Sequence, residues 1–141
     1  MNIAIIPARG GSKRIPRKNI KYFSGKPMIQ YAIEAAKAAM VFDKIVVSTD
    51  DSEIARIAKS LGVDVPFIRP SDLSDDHTPT APVIRHAIQK MKSLEWNFDF
   101  VCCVYPAVPF INSEDLVSAL NRVKSNRDRF CFPVAEFPSS V

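Results

Sequence analysis

The residues of this chain best suited to chemistry lie in one stretch near its start, Pro7-Ala8-Arg9-Gly10-Gly11-Ser12-Lys13-Arg14-Ile15-Pro16-Arg17-Lys18-Asn19. The stretch follows the apolar run Ile3–Ile6, where a buried strand should end. Two adjacent glycines let the backbone turn tightly and come close to a ligand. Backbone amides near Gly10 and Gly11 can form a concavity for anions, and Ser12 adds a hydroxyl donor. Arg9 and Lys13 supply positive charge for phosphate oxygens, including charge that develops on a leaving group. Lys18 and Asn19 follow, and the Asn19 amide offers a donor and an acceptor to a base edge. The pattern points to a polyphosphate. It is neither G-x-G-x-x-G nor G-x-x-x-x-G-K-[ST], so a dinucleotide fold and a P-loop are not indicated.

The charge distribution agrees. Residues 1–33 hold seven cations (Arg9, Lys13, Arg14, Arg17, Lys18, Lys21 and Lys26) and no acid, the first being Glu34. Of 19 Lys and Arg, twelve remain for the rest of the chain, against all 15 Asp and Glu. The net charge of +4 is therefore a local excess. A local excess suits a small anionic ligand better than a nucleic acid, which needs a wider basic stripe, so no nucleic-acid partner is expected. No apolar run approaches the ~20 residues of a membrane helix, so no membrane partner is expected. The first residues lack a charged-then-apolar leader pattern, so the cytoplasm is expected. Cys102, Cys103 and Cys131 have no metal-type spacing and read as reduced thiols serving as small hydrophobes.

Strand and helix patterns alternate around the basic stretch. Ile3–Ile6 reads as a strand covered on both faces. Pro27 opens a helix in which Met28, Ile29, Tyr31, Ala32, Ile33, Ala35 and Ala36 repeat at helical spacing to about Met40. Lys44–Thr49 is a second strand, followed by a helix with Asp50 or Asp51 as N-cap and Gly62 as its stop. Asp64–Ile68 is a short third strand, and Arg69–Pro82 is a polar loop. Val83, Ile84, Ala87, Ile88 and Met91 mark a helix, Phe98–Tyr105 a strand, and Leu116, Val117, Leu120 and Val123 a helix opened by Asn112 or Ser113. Phe130–Val134 is a fifth strand.

Five strands alternating with four helices imply a single α/β domain over 1–141, three-layered with a mostly parallel sheet. In such sheets ligands sit at the carboxyl ends of the strands. The basic loop, the Thr49-Asp50-Asp51 turn, the Arg69 loop and the Tyr105-Pro106 turn all fall on that edge. The chain leaves its fifth strand without a terminal helix or charged tail, which reads as truncation at the C-terminus.

Pro7–Asn19 resembles the A-R-x-x-S-K-x-x-P-x-K-N signature of the CMP-sialic acid synthetase family, cytidylyltransferases that activate nine-carbon acidic sugars. Val46–Asp50, Ile68-Arg69-Pro70 and the helix after Thr80 fall in the family's order. Phe67–Thr80, with Asp75-Asp76-His77-Thr78, looks most like the pseudaminic acid branch. The resemblance implies a nucleotide-diphospho-sugar transferase-like, Rossmann-like fold. It also implies a reaction of CTP with a 2-keto-3-deoxy nonulosonic acid to give CMP-sugar and pyrophosphate, with Mg2+ as cofactor and a homodimer for the full-length protein. Carried over by position, Arg9, Gly10, Gly11, Ser12 and Lys13 hold the triphosphate, and Lys18 lies near the α-phosphate. Arg9 and Lys18 are then the catalytic pair. Asn19 and Arg69 contact the cytidine, Thr80 lies near the base or ribose, and His77, Thr78 and Tyr105 face the sugar. Tyr105-Pro106-Ala107-Val108-Pro109 departs from the Gln-Pro-Thr-Ser-Pro-like run of sialic acid enzymes, which leaves open pseudaminic or sialic acid. The family's magnesium-binding aspartates lie beyond position 141, so no metal ligand is assigned here. The fragment is expected to bind CTP weakly and not to turn it over.

Other readings stand beside these. Asp50 and Asp51 suit magnesium or helix capping. His77 suits a sugar carboxylate, acid–base work or a plain polar surface. Tyr105 suits the sugar or the core; Trp96 and His86 read as packing. The alternatives at the level of function are a non-catalytic nucleotide-binding fragment and a cytidylyltransferase for an eight-carbon keto-deoxy sugar acid.

Overall fold

The computed structural model describes residues 1–126 and 130–136. Strand β1 (Asn2–Pro7) is fully buried from Ile3 to Ile6 and lies between two parallel neighbours. These are β4 (Lys44–Ser48) and β5 (Phe100–Cys103), giving the order β4-β1-β5. A small antiparallel hairpin, β2 (Tyr22–Phe23) and β3 (Lys26–Pro27), precedes the first helix. Its Ser24-Gly25 turn has positive φ at both residues, which is why a glycine stands at the second.

Alternation along β1 sorts its side chains into two cores. Ala4 and Ile6 join Val47 of β4 in a cluster with α1 (Met28–Ala38), α2 (Ser52–Ser60) and α4 (Ser113–Asn126). Ile3 and Ile5 join Val46 in a second cluster with Ala87 and Met91 of α3 (Thr80–Ser93). Trp96 packs against that second cluster, in line with its reading as packing. The result is helices, sheet, helix: the three-layer, mostly parallel α/β architecture expected of the sequence. Among the described residues no helix is long and apolar enough to cross a membrane.

Two expected strands differ. Asp64–Ile68 runs beside β4 but touches it through isolated bridges alone, Val46 with Asp64 and Thr49 with Ile68. Pro66 lacks the N–H a ladder needs, and between the two bridges three residues on this edge (65–67) oppose two on β4 (47–48), so continuous pairing is lost. Phe130–Val134 forms no strand; Phe130, Phe132 and Val134, the i, i+2, i+4 set, all face solvent, and among the described residues no element receives their apolar side. Helix α3 starts at Thr80, inside the expected loop, because Pro82 is tolerated in a first helical turn. Cys102 packs against the first core, whereas Cys103 is exposed and so does not serve as a small core hydrophobe.

Candidate functional site

The parallel strands end together. The Ala8 N–H donates to the Ser48 carbonyl (2.9 Å), the Arg69 N–H to the Thr49 carbonyl (2.8 Å) and the Val104 N–H to the Ile5 carbonyl (2.9 Å). The segments after β1, β4 and β5 and the Arg69 loop thus leave the sheet on one edge, as the topology requires.

On this edge Arg9, Gly11, Ser12 and Lys13 face Ser74, Asp75, Asp76 and His77 across an open cleft of about 350 Å³. The cations do not stand free. Arg9 Nη1 is 2.8 Å from Asp76 Oδ1, and Lys13 Nζ is 2.6 Å from Asp76 Oδ2. Arg9 Nη1 also donates to the Asp75 carbonyl. Two cations from the glycine loop therefore hold the two oxygens of one carboxylate. Lys13 first, and Arg9 after it, hold the Asp76 carboxyl below the usual carboxylate range. Asp75 Oδ1 accepts from the Thr78 N–H and hydroxyl, both at 2.6 Å, and from the His77 N–H at 3.0 Å, which ties the turn carrying His77 and Thr78.

Beneath the cleft, Asn19 and Arg69 are buried, with 5% and 4% of their surfaces exposed. Asn19 Nδ2 donates to the Arg9 carbonyl at 2.9 Å. Arg69 donates to the Ser48 carbonyl at 3.2 Å and the Leu73 carbonyl at 3.4 Å; burial lowers its pKa, opposed by Asp50. Asn19 Oδ1, Ser48 Oγ and Arg69 Nε, and farther along His86 Nδ1, are buried with no partner among the described residues. Three unpaired polar atoms in one buried region are uncommon enough to need an explanation, and a polar ligand at the strand ends would supply one.

Gly10 lies against the start of α2. Its N–H donates to Asp50 Oδ1 at 2.9 Å, so in this state that amide is committed to a carboxylate. A methyl group on Gly10 would fall 2.7 Å from Asp51 Oδ2 and 2.8 Å from Asp51 Cβ, whereas one on Gly11 would meet nothing within 4 Å. Asp51 is the N-cap of α2, its Oδ1 accepting from the Glu53 and Ile54 amides. Lys18 lies half-buried in a 3-10 turn, Lys18–Ile20, at the end of the basic stretch. Thr80 and Tyr105 meet apart from the cleft, hydroxyl to hydroxyl at 3.0 Å. Tyr105 is 56% exposed and so is not a core aromatic. His86 packs edge-on to Phe67, and burial lowers its pKa, in keeping with a structural role.

Two participants escaped the sequence reading. Asp76 was quoted within its loop and given no role, although an acid set against a cation-only segment was a usable signal. Arg17 binds Asp51 and Glu53, and its spacing within Pro16-Arg17-Lys18 carried no signal for this.

Among the described residues no group of three His, Cys, Asp or Glu could hold a metal ion. Asp51 caps a helix and binds Arg17, and Asp50 receives Gly10. By themselves the described residues do not make up a magnesium site.

The depressed carboxyls set an acid limit. Asp51 is held low chiefly by its hydrogen bonds from Arg17, and Asp76 chiefly by Lys13. Such groups stabilise the fold above their unfolded pKa, about 4, and lose that contribution as pH falls through the lower folded value. Melting temperature is therefore expected to fall below about pH 4, and less steeply in Asp51→Asn, which keeps a capping side chain but cannot titrate. Thermal melts between about pH 3 and 7 check this; parallel profiles would remove Asp51 from the acid response.

A cytidylyltransferase family profile matches residues 3–140. The chain belongs to the cytidylyltransferase family. The pseudaminic acid cytidylyltransferase of Campylobacter jejuni is 45% identical over 136 residues, which are 96% of this chain and 59% of that protein. The CMP-N,N'-diacetyllegionaminic acid synthase of Legionella pneumophila is 37% identical over 118 residues, 84% of this chain and 51% of that one. The chain thus spans between half and three-fifths of the length of these relatives. Among solved structures, CMP:2-keto-3-deoxy-manno-octonic acid synthetase complexed with CTP superposes with a TM-score of 0.76 at 23% identity, covering 89% of this cytidylyltransferase chain and 48% of that one. At that identity the likeness speaks for the fold alone. The family expected from Pro7–Asn19 is the family found.

Proposed function

We propose that this chain is the CTP-binding part of an enzyme that joins CMP to a nine-carbon 2-keto-3-deoxy acidic sugar, pseudaminic or sialic acid, with release of pyrophosphate. One observation carries the site: Arg9 and Lys13 converge at 2.8 and 2.6 Å on separate oxygens of one carboxylate. A phosphate presents the same oxygens with more charge, so a triphosphate is the better ligand for that pair. The 45% identical pseudaminic acid cytidylyltransferase supports the choice of nucleotide and sugar class.

In this reading Arg9, Gly11, Ser12 and Lys13 take the β- and γ-phosphates, and Lys18 lies toward the α-phosphorus. The sugar's anomeric hydroxyl attacks that phosphorus; its new P–O bond forms as the bond to the α–β bridging oxygen breaks, the pyrophosphate carries the electron pair away, and the hydroxyl proton passes to solvent. The residues position the groups and offset the negative charge that develops. Asn19 and Arg69 serve the cytidine with the polar atoms they leave unpaired, Thr80 the ribose or base, and His77, Thr78 and Tyr105 the sugar. Magnesium would accompany the nucleotide, and a homodimer in the cytoplasm is the form proposed for the whole protein.

Calorimetric titration with CTP, ATP, GTP and UTP in magnesium tests the nucleotide site. CTP is expected to bind selectively, and Arg9→Ala to weaken it by about tenfold or more, the loss of one charge-assisted contact. Equal binding of all four nucleotides, no binding, or an unaffected variant would overturn the assignment.

A further inference from the structure

Arg17 holds a left-handed backbone conformation and a side chain bound to two carboxylates. Its φ of 56° and ψ of 30° lie in the left-handed region, which is sterically unfavourable for a residue with a Cβ. Glycine would be the ordinary occupant. The arginine instead forks onto the start of α2. Nη1 is 2.5 Å from Asp51 Oδ2, Nη2 is 3.0 Å from Asp51 Oδ1, and Nη2 is also 2.6 Å from Glu53 Oε2. A paired fork of this kind fixes direction as well as distance.

The carboxylate it grips is the one against which Gly10 packs with no room for a side chain. The Arg17 carbonyl in turn accepts the Ile20 N–H at 3.0 Å and the Lys21 N–H at 2.9 Å, closing the turn that carries Lys18 and Asn19. Asn19 then reaches back to the Arg9 carbonyl. The glycine turn, Lys18 and Asn19 are thereby fastened to one rigid reference, the N-terminus of α2.

We infer that Arg17 is a positioning residue for nucleotide binding and transfer, clamping the basic loop to Asp51 without touching the ligand itself. Its guanidinium is turned to the start of α2, onto Asp51 and Glu53, and it does not line the cleft that Arg9, Gly11, Ser12 and Lys13 share with Asp76. The inference rests on the CTP reading above for its ligand, but the clamp exists without one.

Arg17→Gly is the deciding variant. If residue 17 merely had to adopt a left-handed turn, glycine would do so with less strain, and the loop would stay as ordered or become more so. If the fork is what matters, the amides of Lys18, Ile20 and Lys21 are expected to exchange with solvent about tenfold faster, while those of β1 and β4 stay unchanged. Melting temperature should hold within about 2 °C, and the Kd for CTP should rise about tenfold. Arg17→Lys, which keeps one ion pair, should recover part of both losses. Arg17→Gly combined with Asp51→Asn should be no worse than the poorer single variant, since both remove one interaction. Wild-type exchange in the glycine variant, a lysine variant no better than glycine, or additive losses would overturn the clamp. The exchange measurement needs no nucleotide, so a chain that takes up no CTP would sink the functional reading and still decide this one.

Discussion

Gly10→Ala is expected to damage the loop, and Gly11→Ala, one residue along, to leave it intact. The difference is steric. The added methyl at position 10 would sit 2.7 Å from a carboxylate oxygen of Asp51 and 2.8 Å from its Cβ; at position 11 it would meet open space. Neither glycine has the positive φ that would make alanine a backbone problem. Asp51 cannot give way cheaply, because the same carboxylate caps α2 and holds Arg17. Something must shift, and overpacking of this kind costs about 1–3 kcal/mol. The readout is nucleotide affinity beside thermal stability. Position 10 should lose about tenfold or more in affinity for CTP and some stability, and position 11 neither. Matching behaviour of the two alanine variants would mean that Asp51 moves aside freely.

Asp76→Asn is expected to act in the opposite direction and tighten CTP binding. In the free protein the Asp76 carboxylate already occupies Arg9 and Lys13. An incoming triphosphate must displace that negative charge or sit beside it, and either is unfavourable. The amide keeps the shape and removes the charge. The expected gain in affinity is about tenfold, larger at low salt than at high salt because the pairs are near the surface. Titration at two salt concentrations measures it. Weaker binding by the amide would mean that the carboxylate has a part in the bound state.

Much of the fold was legible because it depends on periodicity. Ile3–Ile6, the helix from Met28 and the strand at Lys44 carry patterns that burial enforces, and all three appear close to their expected bounds. A cap at Asp50 or Asp51 was readable, since a carboxylate just before a helical run can accept its first free amides, and Asp51 is the one that does. What failed was the sheet's edge: Asp64–Ile68 and Phe130–Val134 do not extend it, although the parallel pairing of β1 with β4 and β5 is as expected. Phe130–Val134 alternates like a strand, yet alternation cannot announce whether an edge is there to receive it. The site divides in the same way. Arg9, Gly11, Ser12, Lys13 and His77 do meet around one cleft, as their placement at strand ends suggested. The bonds that organise them run from Asp50, Asp51 and Asp76, residues 34–67 positions away, and no local pattern encodes such partners.

The same ion pairs bear on how this protein behaves among other polyanions. Arg9, Lys13, Arg17 and Lys26 come from a segment without a single acid, yet each is met by a carboxylate from elsewhere in the fold. Unmatched, such a segment would attract RNA and other crowded phosphates through counterion release, a force that does not discriminate among them. Matched at these four of its seven cations, it presents a weaker field than its sequence suggests to anything that cannot enter the cleft and compete oxygen for oxygen. Long, stiff polymers are poorly shaped for that, and a small triphosphate is well shaped. The internal acids thus act as a filter, in which charge draws little in from a distance and fit at close range decides what stays.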